Sequence, residues 1–250
     1  MLENIVRNDI PIYSLYLETI VAIELIVLAV VIIRKYLERR LPAAFYLSGA
    51  ILFYGLGILV SAVGKYLDFF NDVPQSVISY SGFAINLAYA FSAIANAFLY
   101  NFVEFVYLSN KEWRMIVFAT LNGITVGWIM DVNSFEFGVY SRIFPIVVYH
   151  VLLSFFVNSL LAYQSFKTSN RTKDDVARWG FRFIGLFGVF LNLVFIFFGL
   201  DNFKIITAGT TFNLEYYLAW ISAAIGTIFG SLGYLMPEWL KRRIEGGRSS

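Results

Sequence analysis

Cysteine is absent from this chain of 250 residues, histidine occurs once and proline five times. Without cysteine there are no disulfides, iron–sulfur clusters, thiolate metal sites or cysteine nucleophiles. One histidine is too few for the ligand sets of histidine-rich membrane hydrolases, for an H-E-x-x-H protease or for a haem held by paired histidines. No G-x-S-x-G and no P-loop occurs either, so no catalytic residue, cofactor or metal is expected. Charge is scarce as well. Asp, Glu, Lys and Arg make up 14% of the chain and hydrophobic residues 59%, against roughly 25% charged in a soluble domain. A water-soluble core cannot hide that much apolar surface.

The apolar residues fall into seven stretches, Ile12–Ile33, Ala43–Val63, Ala84–Val106, Met115–Met130, Ile143–Tyr163, Phe181–Leu200 and Tyr217–Met236. Most approach the roughly 20 residues that cross hydrocarbon as a helix. They predict an all-α integral membrane protein, a single seven-transmembrane-helix bundle filling 1–250. The 26 Phe and 16 Tyr suit a lipid-facing exterior, with Tyr16, Tyr66, Trp113, Trp128, Tyr140, Trp179, Tyr216, Tyr217 and Trp239 near helix ends, as in interfacial aromatic belts. No cleavable signal peptide is expected, because Glu3, Arg7 and Asp9 interrupt the first residues.

Basic residues alternate between the two sides. Arg34, Lys35, Arg39 and Arg40 follow the first stretch, Lys111 and Arg114 the third, Lys167, Arg171, Lys173, Arg178 and Arg182 the fifth, and Lys241, Arg242, Arg243 and Arg248 the last. Those are fifteen of the 19 Lys and Arg, leaving Arg7, Lys65, Arg142 and Lys204 opposite. Short cytoplasmic loops carry the Lys/Arg excess, so the N-terminus is expected outside and the C-terminus in the cytoplasm of a cell membrane. The basic tail is thus a topology signal, not a nucleic-acid patch. Glu3, Asp9, Asp68, Asp72, Asp131, Glu136, Asp201 and Glu215 collect at the outer ends, where an acidic, aromatic-lined mouth suits a protein partner or small ligand. Residues Lys204–Thr211 carry a short extended-piece pattern. Asp174 and Asp175 begin a helix after Thr172 or Lys173.

Small residues recur at i, i+4 and i+8 in Ala119/Gly123/Gly127 and Ser222/Gly226/Gly230, with Ala50, Gly57, Ser61 and Gly64 on a related stripe. Such faces let helix backbones approach closely in lipid, and burial within the chain is expected.

Polar groups inside the bilayer are costly and tend to line an interior or a site. Glu24 sits near the middle of the first stretch, either as a neutral hydrogen-bonding carboxyl or as a proton or ligand site. On the third, Asn86, Tyr89, Ala93, Asn96, Tyr100, Glu104 and Tyr107 recur at three and four and share one face. Glu104, near the inner end, is placed to pair with Arg114, Arg178 or Arg182. His150, Ser154 and Asn158 form an i, i+4, i+8 row on the fifth. Glu24, Asn96, Asn122, Ser154 and Asn192 all fall in the middle third of their stretches, which permits a connected polar layer or small wet cavity. With Tyr100, Glu104, His150 and Asn158 they are the candidates for a ligand or proton site.

In helix count, orientation and length the chain resembles the microbial rhodopsins, and more loosely the heptahelical receptors and the seven-helix input modules of sensor kinases. Rhodopsins hold retinal through a lysine of the seventh helix. Here that helix reads YYLAWISAAIGTIFGSLGYLM, without lysine, which excludes covalent retinal, so the resemblance is one of topology. Two functions are expected. One is a non-catalytic heptahelical module, receptor- or sensor-like or a subunit of a membrane assembly. The alternative is a small proton- or cation-coupled transporter or channel using Glu24 and the polar stripe of the third helix.

Overall fold

The computed structural model describes residues 10–71, 80–131, 140–208 and 212–246, the side chains of 39, 140–144 and 206 excepted. Of the expected acidic outer mouth, Glu3, Asp9, Asp72 and Glu136 lie outside the described residues, as do Arg7, Arg248 and residues 209–211. Within them the chain forms eight helices: α1 (Ile12–Arg39), α2 (Pro42–Asn71), α3 (Tyr80–Tyr107), α4 (Glu112–Ile129), α5 (Tyr140–Arg171), α6 (Asp175–Ala208), α7 (Leu214–Leu235) and α8 (Glu238–Gly246). All of α1, α2, α3, α5, α6 and α7 are long and apolar enough to cross a membrane. This is a multi-pass helical membrane protein.

Local chemistry explains most helix ends. At the end of α1, Arg40 turns left-handed at φ 54° and its amide returns to the Tyr36 carbonyl, after which Pro42 opens α2 at the first helical position, where a missing N–H costs nothing. Asp174 accepts the Ala177 amide at 3.0 Å and starts α6, as the Thr-Lys-Asp-Asp stretch predicts. Met236 turns left-handed to stop α7, and Pro237 forbids its continuation. The extended pattern is overridden over its described part, since Lys204–Ala208 continues α6. A few β-branched residues do not outweigh a helix whose backbone groups lack other partners in lipid.

Cross-helix contacts fix the direction of each element. Glu18 meets Lys65 and the Tyr36 ring packs against Phe45, so α2 runs back along α1. Tyr54 meets Asn96 and Gly64 lies against Tyr80, turning α3 the other way. Glu104 meets Arg114 and Tyr100 stacks on Phe118, so α4 returns along α3. The pairs Ser92–His150, Asn96–Ser154 and Tyr107–Ser165 are each 58 apart in sequence, a constant offset that makes α3 and α5 parallel. Likewise Glu18–Tyr216 and Lys35–Tyr234 make α1 and α7 parallel. Neighbour packing runs α1–α2–α3–α5–α6–α7 and back to α1, with α4 outside this ring against α3 and α5.

Apolar side chains fill the ring and cover its exterior. Leu15, Val21, Ile32, Ile51, Leu99, Val103, Val157 and Leu161 are fully enclosed, whereas Ile20, Val27, Leu152, Phe156, Ile196 and Ile228 face outward. An exposed apolar surface that continuous is what acyl chains cover. After α7, α8 places Trp239, Leu240 and Ile244 beside Glu238, Lys241, Arg242 and Arg243, the mixed composition of a helix lying in a membrane interface. The Lys241 ammonium, 2.6 Å from Glu238, holds that carboxyl below its usual range.

Small residues close most seams as expected. On α2, Gly57 faces the Ala88 carbonyl and Phe91, and Gly64 faces Ala84. On α7, Ser222, Gly226 and Gly230 are buried, the two glycines against Phe187 and Phe190 of α6. The α4 stripe departs from expectation. Ala119, Gly123 and Gly127 are exposed, and none of the described residues lies within 4 Å of where a Cβ would stand at either glycine. The reason is positional, because α4 sits outside the ring and uses its Phe118, Asn122, Thr125 and Ile129 side to reach α3 and α5.

Candidate functional site

Two polar groups lie inside the bundle, and each draws on three helices. The first joins α2, α3 and α5. Tyr54 Oη donates to Asn96 Oδ1 at 2.5 Å, and Asn96 Nδ2 donates to Ser154 Oγ at 2.8 Å. Ser154 donates to the His150 carbonyl one turn earlier at 2.8 Å, and His150 Nε2 lies 3.0 Å from Ser92 Oγ. The imidazole is fully buried, edge-on to Tyr89 and Phe195. Helical spacing builds this chain: Ser92 and Asn96 are one turn apart on α3, His150 and Ser154 one turn apart on α5, and the parallel register sets the two pairs side by side. Asn158, a further turn along, is fully buried, and neither its amide atoms nor His150 Nδ1 finds a partner among the described residues.

Each interhelical bond of this kind contributes about 0.6–2 kcal/mol. Tyr54→Phe should therefore cost roughly 1 kcal/mol, since it leaves the Asn96 carbonyl without its donor. Thermal unfolding in detergent would show a lowered midpoint, and an unchanged midpoint would mean that the bond contributes nothing.

The second group is ionic and lies toward the end where α1 and α7 begin. Lys65 Nζ on α2 pairs with Glu18 Oε1 on α1 and donates to Tyr216 Oη on α7 at 3.2 Å, and Tyr216 Oη donates to Glu18 Oε1. Glu18 is 0% exposed, Lys65 7% and Tyr216 5%. Phe198, Phe212, Tyr217 and Trp220 pack around the Tyr216 ring. Moving either ion alone into so dry a place costs several kcal/mol, whereas a matched pair with a phenolic donor recovers much of it.

Buried carboxylates near the same end hold helix starts. Asp68, one turn beyond Lys65, accepts the Tyr80 and Ser81 amides at 2.9 Å each, capping α3. Asp201 accepts the Asn213 amide at 3.3 Å and its side-chain Nδ2 at 2.9 Å, ahead of α7. Carboxylates at helix N-termini meet unpaired amides and the positive end of the dipole. Two of the acidic residues expected at an open mouth are therefore enclosed. Lys204 and Glu215 pair at 2.6 Å nearer the surface.

The sequence candidates separate. Asn96, His150 and Ser154 come together in the first group, with Asn158 one turn on. Tyr100 stacks on Phe118 with centroids 4.3 Å apart. Glu104 is fully buried at the α3–α4 turn, where it takes the Lys111 amide at 3.0 Å and Arg114 Nη1 at 3.4 Å, and the sequence pairing with Arg114 is the one realised. Asn192 donates to Ser159 Oγ at 2.9 Å on another seam. Asn122 sits on α4 and donates to its own Phe118 carbonyl at 3.0 Å. Glu24 is half-buried on α1, between buried Leu28 and exposed Ile20, and its Oε2 is enclosed without a hydrogen-bond partner among the described residues.

Sequence reasoning passed over Glu18, Lys65, Tyr216, Tyr54 and Ser92. Lys65 in particular is not an outer-loop cation, because α2 carries it inside the bundle. A signal for the ion pair was present. Glu18 stands 22 residues before Arg40 and Lys65 stands 24 after Leu41, so two antiparallel helices joined there carry opposite charges at one depth. Among the described residues no three His, Asp or Glu side chains gather as a metal would need. This chain matches no family model, no curated protein and no solved structure.

Proposed function

We propose that this chain is a non-catalytic seven-span membrane module, of receptor or sensor type or a subunit of a membrane assembly. What carries the reading is how its buried charges are matched. Glu18 faces Lys65, Asp68 and Asp201 hold helix starts, and Glu104 faces Arg114. The α2–α3–α5 group is built from neutral hydroxyl, amide and imidazole side chains. A bundle whose buried carboxylates are each paired with a cation or held by amides is suited to holding a specific arrangement of helices and to repacking when a partner or ligand engages its outer end. It is poorly suited to handing an ion along.

The parallel α3 and α5 support seven crossings, since a chain that runs the same way twice has to return between them. The 18 residues of α4 extend about 27 Å, close to the roughly 30 Å of hydrocarbon. With the basic excess at the end where α1 finishes and α8 lies, the N-terminus is outside and the C-terminus in the cytoplasm of the cell membrane. A reporter fused after Ser250 should be cytoplasmic, and tags inserted after Asn71 and after Asp131 should be reached from outside. A cytoplasmic tag after Asp131 with an outer tag after Asn71 would remove α4 from the membrane, and the fully inverted pattern would reverse the sidedness.

One observation favours the alternative of a proton- or cation-coupled transporter, namely the enclosed, unpaired Glu24 oxygen. Proteoliposome flux separates the two. The module reading expects no proton or cation movement above lipid background, and flux that Glu24→Gln abolishes would replace it with transport.

A further inference from the structure

Among the described residues, cations lie over aromatic rings at six places, and all but the enclosed Lys65–Tyr216 contact are at the end where α1 and α7 finish. Arg182 stands 4.9 Å from the centre of the Trp179 ring, Lys167 5.6 Å from Tyr163, Arg114 5.7 Å from Trp113 and Arg40 6.0 Å from Tyr36. On α8, Trp239 and Arg243 are one turn apart and share a face. Trp113, Tyr163, Trp179 and Trp239 are exposed, and exposed Trp and Tyr rings near helix ends sit at headgroup depth. A long basic side chain folded back over such a ring is held at that depth instead of reaching into water. Arg40, Lys167, Arg182 and Arg243 form no ion pair among the described residues. The opposite end differs, because Glu18 takes Lys65 and Glu215 takes Lys204, with no further cation among the described side chains.

We propose that this end carries a collar selective for anionic phospholipids, in which the Arg and Lys side chains laid on aromatic rings donate to lipid phosphates. A guanidinium flat on a ring keeps its N–H edge free, and that edge matches two phosphate oxygens. A choline headgroup offsets its own phosphate with a cation, whereas a glycerol headgroup leaves the phosphate charge for the protein to meet, so the collar favours the second. The ring–cation pairs stand on α1, α4, α5, α6 and α8, spread around the bundle. Lipid meets all of them at once. A docked protein or a strand of nucleic acid would meet one side only. The collar belongs to this end of the molecule whichever side of the membrane it faces.

Spin-labelled lipids at trace level in phosphatidylcholine vesicles holding the full chain measure the preference, through the fraction of label immobilised at the protein surface. Labelled phosphatidylglycerol is expected to associate roughly threefold more strongly than labelled phosphatidylcholine at low salt. The preference should shrink toward equality in about 1 M salt, where screening acts within about 3 Å. Lys167→Gln, Arg182→Gln and Arg243→Gln combined should remove about half of it or more, leaving phosphatidylcholine association and the unfolding midpoint unchanged because these side chains lie at the surface. Lys204→Gln, at the opposite end, should leave the preference intact. Inorganic phosphate should weaken it no more than chloride of equal ionic strength, as a headgroup collar requires; a larger effect would assign these cations to free phosphate and overturn the lipid reading. Equal association of the two labels, a triple variant that keeps the full preference, or an equal fall with Lys204→Gln would also overturn the proposal.

Discussion

Replacing Glu18 with alanine is expected to lower the stability of the bundle by about 3–5 kcal/mol, the usual cost of stranding one member of a buried ion pair. The variant leaves the Lys65 ammonium enclosed among Tyr216 and the surrounding aromatic rings with its counter-ion gone. It also removes the acceptor for Tyr216, so three helices lose their shared tie. Lys65→Ala strands the carboxylate instead and should cost a similar amount. Exchanging both for apolar residues of like volume, Glu18→Leu with Lys65→Met, should restore most of the loss, because removing a buried pair together is often neutral. The measurement is thermal or denaturant unfolding in detergent for the two singles and the double. Singles as stable as the parent would mean that Glu18 and Lys65 do not meet.

A second large effect is expected where α2 touches α3. A Cβ built at Gly64 would stand 2.3 Å from the Ala84 Cβ and 2.7 Å from the Tyr80 carbonyl oxygen. Both neighbours are rigidly placed, and Asp68 pins the start of α3 a turn away. Gly64→Leu cannot be absorbed by a side-chain rotation, so the helices must separate along the seam. The cost should reach or exceed the roughly 1–3 kcal/mol typical of overpacking, with loss of folded yield. Gly233→Leu, facing the Ile184 amide at 2.9 Å and the Gly180 carbonyl at 3.0 Å, should behave alike on the α6–α7 seam. Gly123→Leu is the contrasting case, because its side chain enters open space and the fold of a single copy should tolerate it. Equal behaviour of Gly64→Leu and Gly123→Leu would contradict the placement of α4 outside the ring.

Glycine spacing shows why part of this was readable and part was not. Small residues at i, i+4 and i+8 appear on both α4 and α7, and the pattern alone says only that each face suits a close helix. On α7 that helix is α6, which Phe187 and Phe190 bring into place. On α4 no helix of the same chain arrives. A periodicity describes one helix, whereas burial depends on the neighbours that the ring supplies.

The polar residues divide in the same way. Mid-span position picked out Asn96 and Ser154 and helical spacing picked out His150, and the parallel register of α3 and α5 brings these into one hydrogen-bonded chain. Mid-span position also picked out Glu24, Asn122 and Asn192, which the fold sets on separate faces. It passed over Glu18, and Lys65 was counted among the outer cations. Both helices run further than their apolar stretches: α1 continues to Arg39 and α2 to Asn71, which moves Lys65 from the loop into the bundle.

The sequence by itself determined the class and the six long apolar helices that can cross a membrane. Twenty or so apolar residues in a row have one low-energy solution in lipid, a helix that satisfies its own backbone, and that solution is local. It also carried the charge bias between the two ends, which needs only a count. The tertiary structure alone decided which residues meet. Ring order, the exclusion of α4 and the rotation of each helix about its axis are set by interlocking side chains from several helices at once, with lipid offering no bias among apolar faces. For that reason Glu18, Lys65 and Tyr216, up to 198 residues apart in sequence, become one buried cluster, while Glu24, six residues from Glu18 on the same helix, lies on its flank.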